Sequence, residues 1–135
     1  MRLRLSGQLL RNGFPREVEE RSGQNLMTCY QCGNCSAGCP AAFAMDLLPS
    51  QLVRLIQLGQ EEEVMSSRTV RLCASCLTCT VRCPRGVDFA RIVEALRFIA
   101  LKRGEDLCGP SEIPEDLLER MPQQGLVGGF RKLSV

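Results

Sequence analysis

Eight of the nine cysteines in this chain stand in two copies of one pattern, Cys29-x2-Cys32-x2-Cys35-x3-Cys39-Pro40 and Cys73-x2-Cys76-x2-Cys79-x3-Cys83-Pro84. That spacing is the run expected of ligands to a pair of 4Fe-4S clusters. Three thiolates two residues apart can wrap one face of a cubane, while the fourth, held off by three residues and stopped by proline, reaches the neighbouring cluster. The expected ligand sets are therefore crossed: Cys29, Cys32, Cys35 and Cys83 for one cluster, Cys73, Cys76, Cys79 and Cys39 for the other. Chemistry of this kind moves electrons.

Other uses of these thiols fit less well. Zinc sites are usually built from two separated Cys-x2-Cys pairs or mixed Cys/His sets, whereas each run here already supplies four thiols and the chain has no histidine. Disulfides need an oxidising compartment, and residues 1–10 carry basic side chains but no apolar core of signal-peptide length. Eight matched thiolates favour two cubanes over 3Fe-4S or 2Fe-2S centres.

Composition bounds the rest. A chain of 135 residues with five Phe, one Tyr and no Trp must build its core from Leu, Val, Ile and the cluster faces, so removing iron is expected to unfold it. Each oxidised cubane with its thiolates carries about −2, which turns the formal charge of +2 into about −2 for the loaded protein and argues against nucleic-acid binding. Arg68, Arg71, Arg82 and Arg85 are expected around the second cluster, which would make it the easier to reduce. No stretch approaches the roughly twenty apolar residues that cross a bilayer. A cytoplasmic protein, or one held at a membrane only through partners, is expected.

The elements that must position the thiols are helical. The two runs repeat at a fixed interval and each leads into a helix-like segment, which predicts an internal duplication about a pseudo-twofold axis. After the first run, Leu48, Leu52, Leu55 and Ile56 recur at helical spacing, with Pro49 in the opening turn and Gly59 at the end. After the second, Asp88 can cap a helix whose buried stripe is Phe89, Ile92, Val93, Leu96, Ile99 and Ala100. Pro15 to Ser22 predicts a helix before the first run. Glu61-Glu62-Glu63 is better read as a helix start than as a docking patch, and Ser66 or Ser67 can cap a short helix from Arg68 to Leu72. No alternating strand pattern is visible, so the expectation is an all-α, mostly helical ferredoxin over 1–104, with an N-terminal extension.

Residues 105–135 form a different region. Gly109-Pro110, Pro114, Pro122 and Gly128-Gly129 break it up, leaving one expected helix at about Glu115 to Arg120. Leu117, Leu118, Met121, Leu126, Val127, Phe130 and Leu133 are too apolar for a disordered tail, and docking to a partner is expected. Cys108 has no companion thiol and reads as a small buried or free thiol.

The residues Cys29-Tyr30-Gln31-Cys32-Gly33-Asn34-Cys35-Ser36-Ala37-Gly38-Cys39-Pro40 and Cys73-Ala74-Ser75-Cys76-Leu77-Thr78-Cys79-Thr80-Val81-Arg82-Cys83-Pro84-Arg85-Gly86-Val87 resemble the C subunit of heterodisulfide reductase. So do the intervening Leu47-Leu48-Pro49 and the tail Met121-Pro122-Gln123-Gln124-Gly125-Leu126-Val127. The resemblance implies an α-helical ferredoxin with two 4Fe-4S clusters that joins a flavin-containing partner, the A subunit, to a catalytic partner, the B subunit, which holds non-cubane clusters. It also implies contexts such as flavin-based electron bifurcation, hydrogenase modules or methylenetetrahydrofolate reductase. In that family the C subunit does no substrate chemistry, and no catalytic residues are expected here: the chain has no histidine, no Gly-x-Gly-x-x-Gly loop and no paired nucleophile and base. Two other readings stand beside it, an iron-sulfur subunit of a succinate, fumarate or glycolate type oxidoreductase, and a non-redox scaffold that clusters merely stabilise.

Overall fold

The computed structural model describes residues 7–8, 12–104 and 109–130. Cys108, Leu133 and most of residues 1–10 lie outside the described residues. The chain divides into two compact units, one ending at Phe98 and the next beginning at Ile99. Among the described residues there is no β-strand.

The first unit begins with α1, Phe14–Ser22. Pro15 presets its first turn, Glu17 and Arg21 complement the helix dipole at the two ends, and Gly23 closes it at φ 65°. Phe14, Val18 and Ser22 recur every fourth residue and are all buried. A 3-10 turn at Leu26–Thr28 follows, capped by Asn25, whose Oδ1 accepts the Met27 N–H at 3.0 Å. Two short helices carry the cysteine runs, α2 at Asn34–Ala37 and, later, α6 at Thr78–Arg82.

Between the runs lies the expected helix, α3, Pro49–Gln57, with Leu52, Val53, Leu55 and Ile56 buried. Acidic side chains open α4, Glu61–Ser66, as their affinity for a helix N-terminus requires. The short α5, Thr69–Leu72, starts one residue later than expected. Ser67 does cap it, its Oγ accepting the Thr69 N–H at 3.1 Å, but the larger share falls to Asp46. That carboxylate accepts the backbone N–H groups of Arg68 (3.0 Å) and Thr69 (3.1 Å) and the Ser67 hydroxyl (2.8 Å).

Helix α7, Phe89–Lys102, is capped by Asp88, whose Oδ1 accepts the N–H groups of Ala90 and Arg91 at 3.0 and 3.2 Å. Of its expected stripe, Phe89, Ile92, Val93, Leu96 and Ile99 are buried, joined by Ala90 and Ala95. The fully buried Val18, Leu26, Leu52, Ile56, Val64, Ile92, Val93 and Leu96 form an aliphatic core drawn from α1, the 3-10 turn, α3, α4 and α7. No described helix is long and apolar enough to cross a membrane.

In the second unit a 3-10 turn at Pro110–Glu112 precedes α8, Glu115–Arg120, which matches the expected stretch. A further helix, α9 at Gln123–Phe130, departs from the expectation, since Gly125, Gly128 and Gly129 read as breakers. Pro122 launches it by accepting the N–H groups of Gly125 and Leu126. Neither helix buries a residue.

A two-chamber thiol site

The two cysteine runs share the positions of their left-handed turns. In the first, Gln31 (φ 65°) and Gly33 (φ 80°) turn the chain into the left-handed region; in the second, Ser75 (φ 50°) and Leu77 (φ 62°) do so at the corresponding places. Each second turn starts a short helix: Gly33 O accepts from Ser36 and Ala37, and Leu77 O from Thr80 and Val81. The last thiol of each run is placed alike, Cys39 N–H donating to Ser36 O at 3.3 Å and Cys83 N–H to Thr80 O at 3.2 Å. A left-handed bend on either side of the second cysteine is what lets three closely spaced side chains converge on one side. Glycine takes that bend freely, whereas Leu77 bears a steric cost of about 1–2 kcal/mol.

The cysteines line two small cavities of similar size. Cys29, Cys32, Cys35 and Cys83 line the first, with Gly33, Asn34, Ser50, Val53 and Val87. The second is lined by Cys39, Cys73, Cys76 and Cys79, with Pro40, Ala41, Met45 and Ala90. Phe89, 3% exposed, lines both. Each chamber thus combines three thiols of one run with the last thiol of the other. Among the described residues no three Cys, Asp or Glu side chains converge as a single metal ion requires; four soft sulfur donors spread around a cavity suit a polynuclear group. The donor set fits a 4Fe-4S cluster in each chamber.

Sulfur environments differ in detail. Gln31 donates its side-chain N–H to Cys29 Sγ at 3.5 Å, and Val87 its backbone N–H to Cys83 Sγ at 3.3 Å. Burial pushes the Cys35 and Cys79 thiols up, whereas the hydroxyl of Thr78 pulls exposed Cys76 down. Cluster ligation demands the thiolate in every case.

Hydroxyls and carboxylates tie the runs to the helices behind them. Ser36, between Cys35 and Cys39, accepts the Ser50 N–H at 2.9 Å in the first turn of α3. Thr80, at the matching place in the second run, donates to Asp88 at 2.9 Å, the cap of α7. Partial burial raises the Asp46 carboxyl, but the hydrogen bonds from Arg68, Ser67, Thr69 and Leu47 outweigh it and hold the group far below the usual carboxylate range.

Two anchoring side chains have no signal in the cysteine spacing. Gln57, at the end of α3, donates to Leu26 O (2.7 Å) and to Cys29 O (3.1 Å). Arg97, on α7, donates to Val70 O (2.7 Å), Arg71 O (3.2 Å) and Cys73 O. Both contacts span more than twenty residues, beyond the reach of any local pattern.

None of the arginines expected around the second cluster lines either chamber. Arg68 donates to Ala44 O at 3.2 Å, beside Met45 of the second chamber. Arg82 lies across Gly38, where an added Cβ would come within 2.5 Å of its Cδ. Arg85, however, acts on Tyr30: desolvation raises that phenol and its hydrogen bond to Cys32 adds to the rise, while Arg85 opposes it.

Residues 28–88 match the 4Fe-4S dicluster domain family. With its eight cysteines about two chambers, that stretch of the chain is a 4Fe-4S dicluster domain. Its relatives narrow the class: the chain is 38% identical over 86 residues to the iron-sulfur C subunit of the CoB–CoM heterodisulfide reductase of Methanopyrus kandleri, covering 64% of this chain and 45% of that one. It is 39% identical over 97 residues to the C subunit of the ferredoxin:CoB-CoM heterodisulfide reductase of Methanosarcina acetivorans, covering 70% and 39%. With the C2 subunit of the H2/formate:CoB-CoM heterodisulfide,ferredoxin reductase of Methanococcus maripaludis it shares 30% identity over 108 residues, covering 74% and 58%. The chain spans about half the length of these curated relatives, and over that stretch it is similar to the C subunit of heterodisulfide reductases.

Proposed function

We propose that this chain is the electron-relay subunit of a heterodisulfide reductase-like complex. It passes electrons between a flavin-containing iron-sulfur subunit and a catalytic subunit holding non-cubane clusters, in the cytoplasm, where its thiols stay reduced. Bound 4Fe-4S clusters supply one-electron carriers; the protein supplies ligands, insulation and fixed charge. Cys29, Cys32, Cys35 and Cys83 hold one cluster, and Cys73, Cys76, Cys79 and Cys39 the other. The observation that carries this reading is the lining of each chamber by three thiols of one run and the last of the other. Matching left-handed turns, and the Ser36 and Thr80 ties to the following helix, support a duplicated fold with a pseudo-twofold axis. In the tail, Leu117 and Val127 remain 48% and 67% exposed, which supports docking of residues 105–135 on a partner protein.

Anaerobically loaded protein is expected to hold about eight iron and eight sulfide per chain; stoichiometric zinc, or iron near four, would remove the reading. Cys39→Ser is expected to disturb the cluster of Cys73, Cys76 and Cys79, and Cys83→Ser that of Cys29, Cys32 and Cys35. A change confined to the variant's own run would defeat the crossed ligation. Deleting residues 121–135 is expected to leave iron content unchanged and abolish co-purification with the catalytic subunit, whereas loss of iron would put the tail in the cluster fold.

A further inference from the structure

Each run is gripped near its first cysteine by a side chain from the helix that follows, and the two grips differ in charge. Gln57 holds Leu26 O and Cys29 O with a neutral carboxamide. Arg97 holds Val70 O, Arg71 O and Cys73 O with a guanidinium. Val70 and Arg71 belong to the last turn of α5, where free carbonyls carry partial negative charge and favour a cation. Arg97 is half-buried and fixed at three points, unlike Arg71 and Arg85, which are exposed and whose fields are screened by solvent and salt.

We propose that Arg97 is a positioning residue that sets the redox potential of the second cluster above that of the first. The proposal rests on the two-cluster relay reading. A guanidinium does not deprotonate in a protein, so its charge is permanent, and it is tied directly to the backbone of a cluster ligand. The step is a one-electron reduction by the donor protein of the relay, with no bond made or broken. A fixed cation stabilises the more negative, reduced cluster and raises its potential. The carboxamide of Gln57 reproduces the grip on the first site without the charge.

The test is a spectroelectrochemical titration of the loaded full chain, with the second site identified as the wave altered by Cys76→Ser. Arg97→Gln, which copies the first site's anchor, is expected to keep its iron and to lower the second wave alone. Arg97→Lys, which keeps the charge without the planar fork, is expected to stay near the wild-type potential. Unmoved waves in Arg97→Gln, equal movement of both, or a shift in Arg97→Lys as large as in Arg97→Gln would overturn the proposal. Should Arg97→Gln lose its iron, Gln57→Arg decides the matter: the first wave rises, or the proposal falls. Iron well below about eight per wild-type chain would sink the two-cluster reading itself, before any potentials are compared.

Discussion

The turn into the first cysteine run is held by two neutral amides and by the Glu19 carboxylate, which accepts the Leu26 N–H at 2.8 Å, whereas the second run is held by a carboxylate and a guanidinium. Asn25 caps the turn that leads into Cys29, and Gln57 grips the same turn from α3. At the corresponding places of the second run stand Asp46, which caps α5, and Arg97, which grips it from α7. The left-handed turns nonetheless fall at corresponding positions of the two runs. Chelating geometry is therefore carried by φ angles and main-chain hydrogen bonds, which tolerate either chemistry in the supports, while the difference between the two halves is electrostatic.

The comparison fails most visibly if the halves do not depend equally on iron. Removing iron is expected to collapse both runs together, seen as a single loss of far-ultraviolet ellipticity, because α2 and α6 are too short to persist alone. An apoprotein that keeps the cooperative thermal transition of the loaded protein would contradict this.

Next in size are the caps. Asp46→Ala is expected to cost about 1–2 kcal/mol in urea unfolding, and Asn25→Ala about 0.5–1 kcal/mol, since a charged acceptor with several donors is the stronger cap. Equal costs would erase the distinction between the halves. The folded Asp46 carboxyl lies below its unfolded value, so its contribution is complete above the unfolded pKa of about 4 and is lost only as pH falls through the folded value. The stability difference between wild type and Asp46→Asn should accordingly stay flat from about pH 8 to pH 5. A slope in that window would mean that the carboxyl is not held low.

The smallest effect tests the shared backbone. Leu77→Gly is expected to stabilise the loaded protein by about 1 kcal/mol, and Gly33→Ala to destabilise it by about 1–2 kcal/mol. A destabilising Leu77→Gly would show that the exposed leucine has contacts worth more than its strain.

Helices with an apolar stripe and a proline or aspartate start, α3 and α7, are legible because burial imposes its period on the sequence. The short α2 and α6 are not, since their cysteines follow a chelating interval rather than a helical one. Helix α9 is hidden by its glycines. Among the supports, Asp88 is legible because it caps its own helix, whereas Asp46, Gln57 and Arg97 act on backbone more than twenty residues away. Sequence proximity does not show that Cys39 and Cys83 line the chamber of the opposite run, because that exchange breaks the link between nearness in sequence and nearness in space.

Phe89 is a buried hydrocarbon ring that forms part of the wall of both chambers. Such a wall excludes water and screens poorly, so charge arriving in one chamber is felt in the other. Clusters held on either side of it would titrate as a coupled pair, the first electron making the second harder to add. A pair of clusters held this way would take up one electron more readily than two.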